Sequence, residues 1–142
     1  MLSKTSEYAL RAVMALAREP DDRLVRAGDL AEQLAVPANY LSKILHTLSR
    51  AGVLVSERGP NGGFRLARSA ERTSLADVVG EFDEVGQQNL CLLGRSRCRD
   101  DRPCAAHERW KEVFEPVTDF FRDTMVAELL QPSDTVAETA NH

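Results

Sequence analysis

The chain has 142 residues, of which 43% are hydrophobic and 28% charged, an ordinary globular composition sufficient for one main domain. Its formal net charge is −4, which argues against a uniformly basic nucleic-acid binder but leaves room for a basic face on an acidic average. Glu7 and Arg11 interrupt the apolar residues of the N-terminus, and no stretch approaches the roughly 18 apolar residues of a membrane span, so a cytoplasmic protein with no membrane partner is expected.

In chain order, TSEYALRAVMALARE places Leu10, Val13, Met14 and Ala17 on one helical stripe, with Ser6 or Thr5 as the expected cap. RAGDLAEQLAV puts Leu30, Ala31 and Leu34 at helical spacing, and the residue before Pro37 is pushed out of helical geometry. ANYLSKILHTLSRAG then gives a strong helix on Leu41, Ile44, Leu45 and Leu48, stopped at Gly52. VLVSER and FRLAR read as two short strands, and the GPNGG between them supplies the glycines of a tight turn. TSLADVVGEFDE is a short helix capped by Thr73 or Ser74. An Arg-, Asp- and Gly-rich loop follows. Then Trp110, Val113, Phe114, Val117, Phe120, Phe121 and Met125 recur at spacings of three and four, a wide apolar face on a long helix that Pro116 should kink unless it falls near the start. The last twelve residues have no apolar pattern and read as a disordered tail.

Helix, turn, helix and glycine-tipped hairpin is the order of a winged helix-turn-helix, whose second helix enters the major groove of DNA. The fold expected is mainly α, a winged helix-turn-helix plus a long C-terminal dimerisation helix. Residues 1–82 would form the DNA-binding domain, 83–106 the cysteine loop, 107–130 the dimerisation helix and 131–142 the tail. Asn39, Ser42, Lys43, His46 and Arg50 form a polar stripe opposite the leucines, chemically able to pair with base edges and phosphates. Arg58, Asn61 and Arg65 add the hairpin to this DNA-binding set. From Ala38 to Arg68 five cations face one carboxylate, a net of +4, whereas from Glu108 to His142 three cations face eight carboxylates, a net of −5. The acidic average therefore belongs largely to the C-terminal region, and a basic face remains for phosphates. A solvated polar face on an ordinary helical domain is the plainer alternative, and the order of elements together with the basic hairpin weighs against it. The long helix must bury its aromatics. Part of that face, Trp110, Val113, Phe114, Val117 and Phe121, is expected to meet a second copy, the competing expectation being that it folds back on its own domain.

All three cysteines, Cys91, Cys98 and Cys104, lie within fourteen positions, separated by six and five residues, and His107 follows Cys104 after two more. In a reducing cytosol such a cluster points to metal or redox chemistry rather than to structural disulfides. A tetrahedral zinc or an iron–sulfur cluster would each accept these donors. Arg95, Arg97, Arg99 and Arg102 favour the thiolate.

The opening LSKTSEYALRAV, then YLSKILHTLSRAGVL, ERGPNGGFRLAR, SLADVV and the three-cysteine loop resemble, in this order, the Rrf-two superfamily of bacterial winged-helix regulators, from Met1 to about Leu130. The resemblance implies a homodimeric regulator of transcription that binds a double-stranded DNA operator under the control of an iron–sulfur cluster, [2Fe-2S] or [4Fe-4S]. It implies that Cys91, Cys98 and Cys104 are cluster ligands, that Arg58 probes the minor groove and that the long helix is the dimerisation element. CAAHERW resembles the IscR-like pattern, in which His107 would be the fourth ligand. SEYALRA resembles the NsrR-like opening, in which an acid of the partner subunit, here Glu7, takes that place. The six-residue gap between Cys91 and Cys98 is one longer than in several relatives. The signal, whether nitric oxide, iron or redox state, is left open by the sequence. Two other readings compete: a cluster-free or zinc-stabilised regulator responding to a metabolite or thiol oxidation, and an iron–sulfur redox protein that binds no DNA. No catalytic constellation is present, so no enzyme is expected.

Overall fold

The structure, a computed structural model, describes residues 2–20, 23–83 and 107–130. Helices α1 (Lys4–Ala17), α2 (Ala27–Leu34) and α3 (Ala38–Arg50) precede strands β1 (Leu54–Glu57) and β2 (Gly63–Leu66). A 3-10 turn (Ala70–Arg72), α4 (Leu75–Val79), α5 (His107–Asp123) and a second 3-10 segment (Val126–Leu130) follow. The sequence periods place most of these elements, but the long helix expected over 107–130 ends at Asp123, and Met125, expected on its apolar face, instead bridges Ser74 before the second 3-10 segment.

The α1 cap is Ser3, not Ser6 or Thr5: the Ser3 hydroxyl accepts from the Ser6 N–H at 3.1 Å. Ser6 is instead fully buried. The helix starts earlier than its apolar pattern indicates because Ser3 is itself held from afar by Asp83, which accepts from the Ser3 N–H and Oγ. Partial burial pushes the Asp83 carboxyl upward, and the neighbouring Ser6 and Ser3 hydroxyls with the Ser3 N–H outweigh that, keeping it below its ordinary value. The core face of α1 is also rotated from the expected stripe. Ala9, Ala12, Val13 and Leu16 are buried, whereas Leu10, Met14 and Ala17 are only partly so. The buried set keeps the spacing i, i+3, i+4, i+7 of the expected stripe but begins one position earlier, and its alanines let α1 lie close against its neighbours.

α2 ends on Ala35 in the left-handed conformation (φ 57°), an uncommon choice for a residue with a Cβ. That residue turns the chain so that Val36 is buried and Pro37 begins α3. Leu41, Ile44, Leu45 and Leu48 of α3 are all at most 2% exposed. β1 and β2 pair antiparallel, Leu54 with Leu66 through Glu57 with Gly63. Val25, just before α2, adds an isolated bridge to Phe64 through bonds of 3.0 and 2.8 Å. Ser74 caps α4 in a capping box with Asp77.

α5 runs through Pro116. It packs Phe121 into the common core and leaves Phe114 and Thr118 at 7% and 5% exposure. The chain then returns to the N-terminal unit. Leu75 N–H donates to Thr124 O at 2.9 Å, Val126 N–H to Thr73 O at 2.8 Å, and Val126 is fully buried. Among the described residues no helix is long and apolar enough to cross a membrane. The proposed tail, 131–142, and the cysteine segment lie outside the described residues.

Candidate nucleic-acid interface

Burying the leucine face of α3 leaves Asn39, Lys43, His46 and Arg50 exposed and Ser42 half-buried. The polar stripe therefore points outward because the opposite face is committed to the core. Lys43 forms no ion pair or side-chain hydrogen bond among the described residues. Arg50 reaches Thr47 Oγ1 at 3.4 Å, and Thr47 donates back to the Lys43 carbonyl at 3.0 Å. His46 sets its ring edge-on against Phe64 of β2, with centroids 5.4 Å apart and planes at 76°. Since Phe64 is 6% exposed and paired with Val25, this contact seats the hairpin beside the recognition helix.

The hairpin tip closes with Gly62 N–H donating to Gly59 O at 3.0 Å. Arg58 and Asn61 are exposed there, and Arg58 has no protein partner among the described residues. A groove of about 560 Å³ runs between the start of α2, the face of α3 and the hairpin. Its lining includes Arg26, Asp29, Ser42, His46, Glu57 and Arg58. The start of α2 has no side-chain cap, so its first-turn N–H groups are donors open to an anion such as a DNA phosphate. Hydrogen-bonding side chains for base edges, free guanidinium and ammonium groups, and helix N–H groups thus share one surface.

Two residues of this groove escaped the sequence reading. Arg26 donates to the Pro60 carbonyl, tying the hairpin tip to α2, and Asp29 stands in the first turn of α2. RAGD carries no periodic signal for either role. Arg65 is placed elsewhere. Alternation along β2 turns it away from Phe64, into a second groove with Leu16, Glu19, Arg23 and Arg68. Arg68, counted in the basic stretch, forms a 3.2 Å ion pair with Asp77. Within the groove the cations Arg26 and Arg58 stand beside the carboxylates Asp29 and Glu57, and the unbalanced positive charge is that of Lys43 and Arg50 on the exposed face of α3.

Cys91, Cys98 and Cys104 lie outside the described residues. His107 opens α5, and its side chain also lies outside them. Among the described residues no three His, Cys, Asp or Glu side chains gather as a metal site. Glu7 is exposed on α1, 3.8 Å from Lys4. Arg11, one helical turn on and within i,i+4 reach of Glu7, is engaged elsewhere, donating to Leu34 O at 2.9 Å and lying over the Tyr8 ring. Of the proposed interface residues on α5, Phe114 and Phe121 are buried within the chain, and Trp110 and Val117 are half-buried. Val113 and Phe120 are 58% and 52% exposed.

A short three-helix unit with a hairpin seated against its third helix and an open groove between them, beside the exposed Lys43 and Arg50, defines a winged-helix DNA-binding protein. The profile of the Rrf2 family, described as an iron-dependent transcriptional regulator, matches residues 2–132. The chain belongs to the Rrf2 family of transcriptional regulators and is not an enzyme. It is 35% identical over 132 residues to a protein of Aquifex aeolicus whose name proposes an HTH-type transcriptional regulator, covering 92% of this chain and 91% of that one. It is 27% identical over 135 residues to the HTH-type transcriptional regulator IscR of Vibrio vulnificus, covering 95% and 80%. In fold it is similar to CymR (YrzC) of B. subtilis, described as the global cysteine regulator, with a TM-score of 0.75 and 20% identity over 92% of this chain and 95% of that one.

Proposed function

We propose that the protein is a cytoplasmic, homodimeric transcription regulator whose operator binding is controlled by an iron–sulfur cluster held on Cys91, Cys98 and Cys104. The observation that carries its DNA-reading half is the groove shared by Ser42 and His46 of α3 and Arg58 of the hairpin. In this reading Asn39, Ser42, His46 and Arg50 meet base edges, Lys43 meets phosphate, and the hairpin with Arg58 and Asn61 enters an adjacent groove. Arg58→Ala is expected to weaken specific binding by about 1–3 kcal/mol, and Lys43→Ala to lower the slope of affinity against salt by about one. Gel-shift titrations at several salt concentrations measure both. An Arg58→Ala protein that binds its operator like the wild type at fixed salt would remove the hairpin from the interface.

The donor set suits the cluster. Three thiols and four nearby arginines stabilise thiolate and offset its charge, and Glu7 offers an exposed carboxylate whose only ion pair among the described residues is the long one to Lys4. When bound, the cluster supplies a centre whose charge and integrity respond to nitric oxide, iron supply or oxidation. Glu7 of the partner subunit or His107 completes its ligands. Glu7 is the favoured choice because the structural role open to a glutamate there, an i,i+4 ion pair with Arg11, is not made. The expected result is that anaerobically reconstituted Glu7→Ala shows an altered visible spectrum and a less stable cluster, while His107→Ala resembles the wild type. The reverse pattern would assign the position to His107. A colourless protein that releases zinc would replace the cluster by the zinc-stabilised alternative.

A further inference from the structure

Three contacts meet at the first turns of α1. Ser3 gives its N–H (3.0 Å) and its Oγ–H (2.9 Å) to one oxygen of Asp83, eighty positions away. Thr5 Oγ1 shares a 2.5 Å hydrogen bond with the Tyr40 hydroxyl. Tyr8 sets its ring edge-on to Tyr40, centroids 5.6 Å apart and planes at 81°. Tyr40 follows Asn39 in the first turn of α3, the end of a recognition helix that approaches the bases. That end has no side-chain cap, since its N-cap is Pro37. The buried leucines choose which face of α3 is inside. A stripe of aliphatic contacts tolerates a small roll about the helix axis, whereas a hydrogen bond at the tip of a long tyrosine does not.

We propose that Tyr40 and Asp83 are positioning residues for DNA recognition: the first turn of α1 is a strut that fixes the roll of α3 through Tyr40 and is itself held in place by Asp83. The inference rests on the reading that α3 meets DNA, and it adds how that helix is aimed. Asp83 is the first residue of the stretch 83–106 that carries the cysteines, so the residue that steadies the strut is the one through which the chain enters that stretch. Hydrogen bonds to bases are directional, and a rolled helix loses them while its cations still reach phosphate. A defect in aim therefore costs specific affinity and spares non-specific affinity.

The test uses a duplex selected from a random pool by the full-length wild type, and an unrelated duplex of equal length. Tyr40→Phe keeps the ring and removes the hydroxyl, Thr5→Val removes the same bond from the other side, and Asp83→Asn weakens the clamp on Ser3. Each is expected to bind the selected duplex roughly five- to twentyfold more weakly, with unchanged affinity for the unrelated duplex, an unchanged salt slope and a cooperative melting transition. Tyr40→Phe combined with Asp83→Asn should lose little more than the worse single variant, because both act through one turn. Wild-type affinity of Tyr40→Phe and Thr5→Val for the selected duplex, while Arg58→Ala binds it weakly, overturns the strut and leaves the DNA reading standing. Equal losses on both duplexes, or fully additive losses, also overturn it. A wild type that selects no duplex at all fails the DNA reading, and the inference falls with it.

Discussion

A Val113→Glu/Phe120→Glu double variant is expected to sediment as a monomer and to lose about 10²–10⁴-fold in operator affinity, the advantage that linking two half-site contacts confers. The apolar arc of α5 is wider than its own domain covers. Phe114, Thr118 and Phe121 are buried inward. Val113 and Phe120, seven residues apart on the neighbouring strip of the helix, remain more than half exposed. Their burial against a second copy would contribute at most about 1.5–3 kcal/mol each. In a two-fold interface every introduced glutamate faces the same patch carrying its own glutamates, so the penalty is doubled by symmetry. Val117→Glu would be a less clean probe, because Val117 packs against the chain's own core and a charge there would also weaken the protomer. The double variant should still unfold in one cooperative transition, as a monomer lowered in stability by the lost association and by the lost Phe120–Phe121 ring contact. Sedimentation as a dimer with unimpaired operator binding would move the interface to another face.

Gly63→Ala is expected to lower stability by about 2–5 kcal/mol, combining backbone strain with a steric clash. Gly63 has a φ of +150°, and a Cβ there would lie 2.6 Å from the carbonyl carbon and oxygen of Val25. The obstacle is backbone, and it is held on the spot by the two hydrogen bonds joining Val25 to Phe64. Relief requires parting the hairpin from the segment before α2, which also loosens Phe64 from His46. Operator binding should therefore fall along with stability, unlike the Arg58→Ala case, where only binding falls. Chemical denaturation followed by circular dichroism measures the first effect. A midpoint equal to that of the wild type would mean that the hairpin does not lie against Val25 in solution.

The parts of the fold and the site set by short-range pattern were legible in the sequence. Large aliphatics at Leu41, Ile44, Leu45 and Leu48 force α3 to bury one face, and this alone exposes Asn39, Lys43, His46 and Arg50. The glycines, Pro60 and Asn61 of the hairpin tip specify a turn by their backbone preferences, and Ser74 with Asp77 specifies a helix start; both act over a few residues. Tertiary structure decided what those patterns meet. A hydrophobic period shows that a face is buried but not against what, so only packing could divide α5 between Phe114 and Phe121, turned inward, and Val113 and Phe120, left outside. Alternation along β2 sets Phe64 and Arg65 on opposite faces, but which face adjoins α3 depends on the bridge from Val25. The clamp of Asp83 on Ser3, the reach of Arg26 to Pro60 and the return of Val126 to the core join residues 34 to 80 positions apart. A single hydrogen bond between such distant residues imposes no repeat on the sequence around either end, so nothing but the folded chain could bring them together.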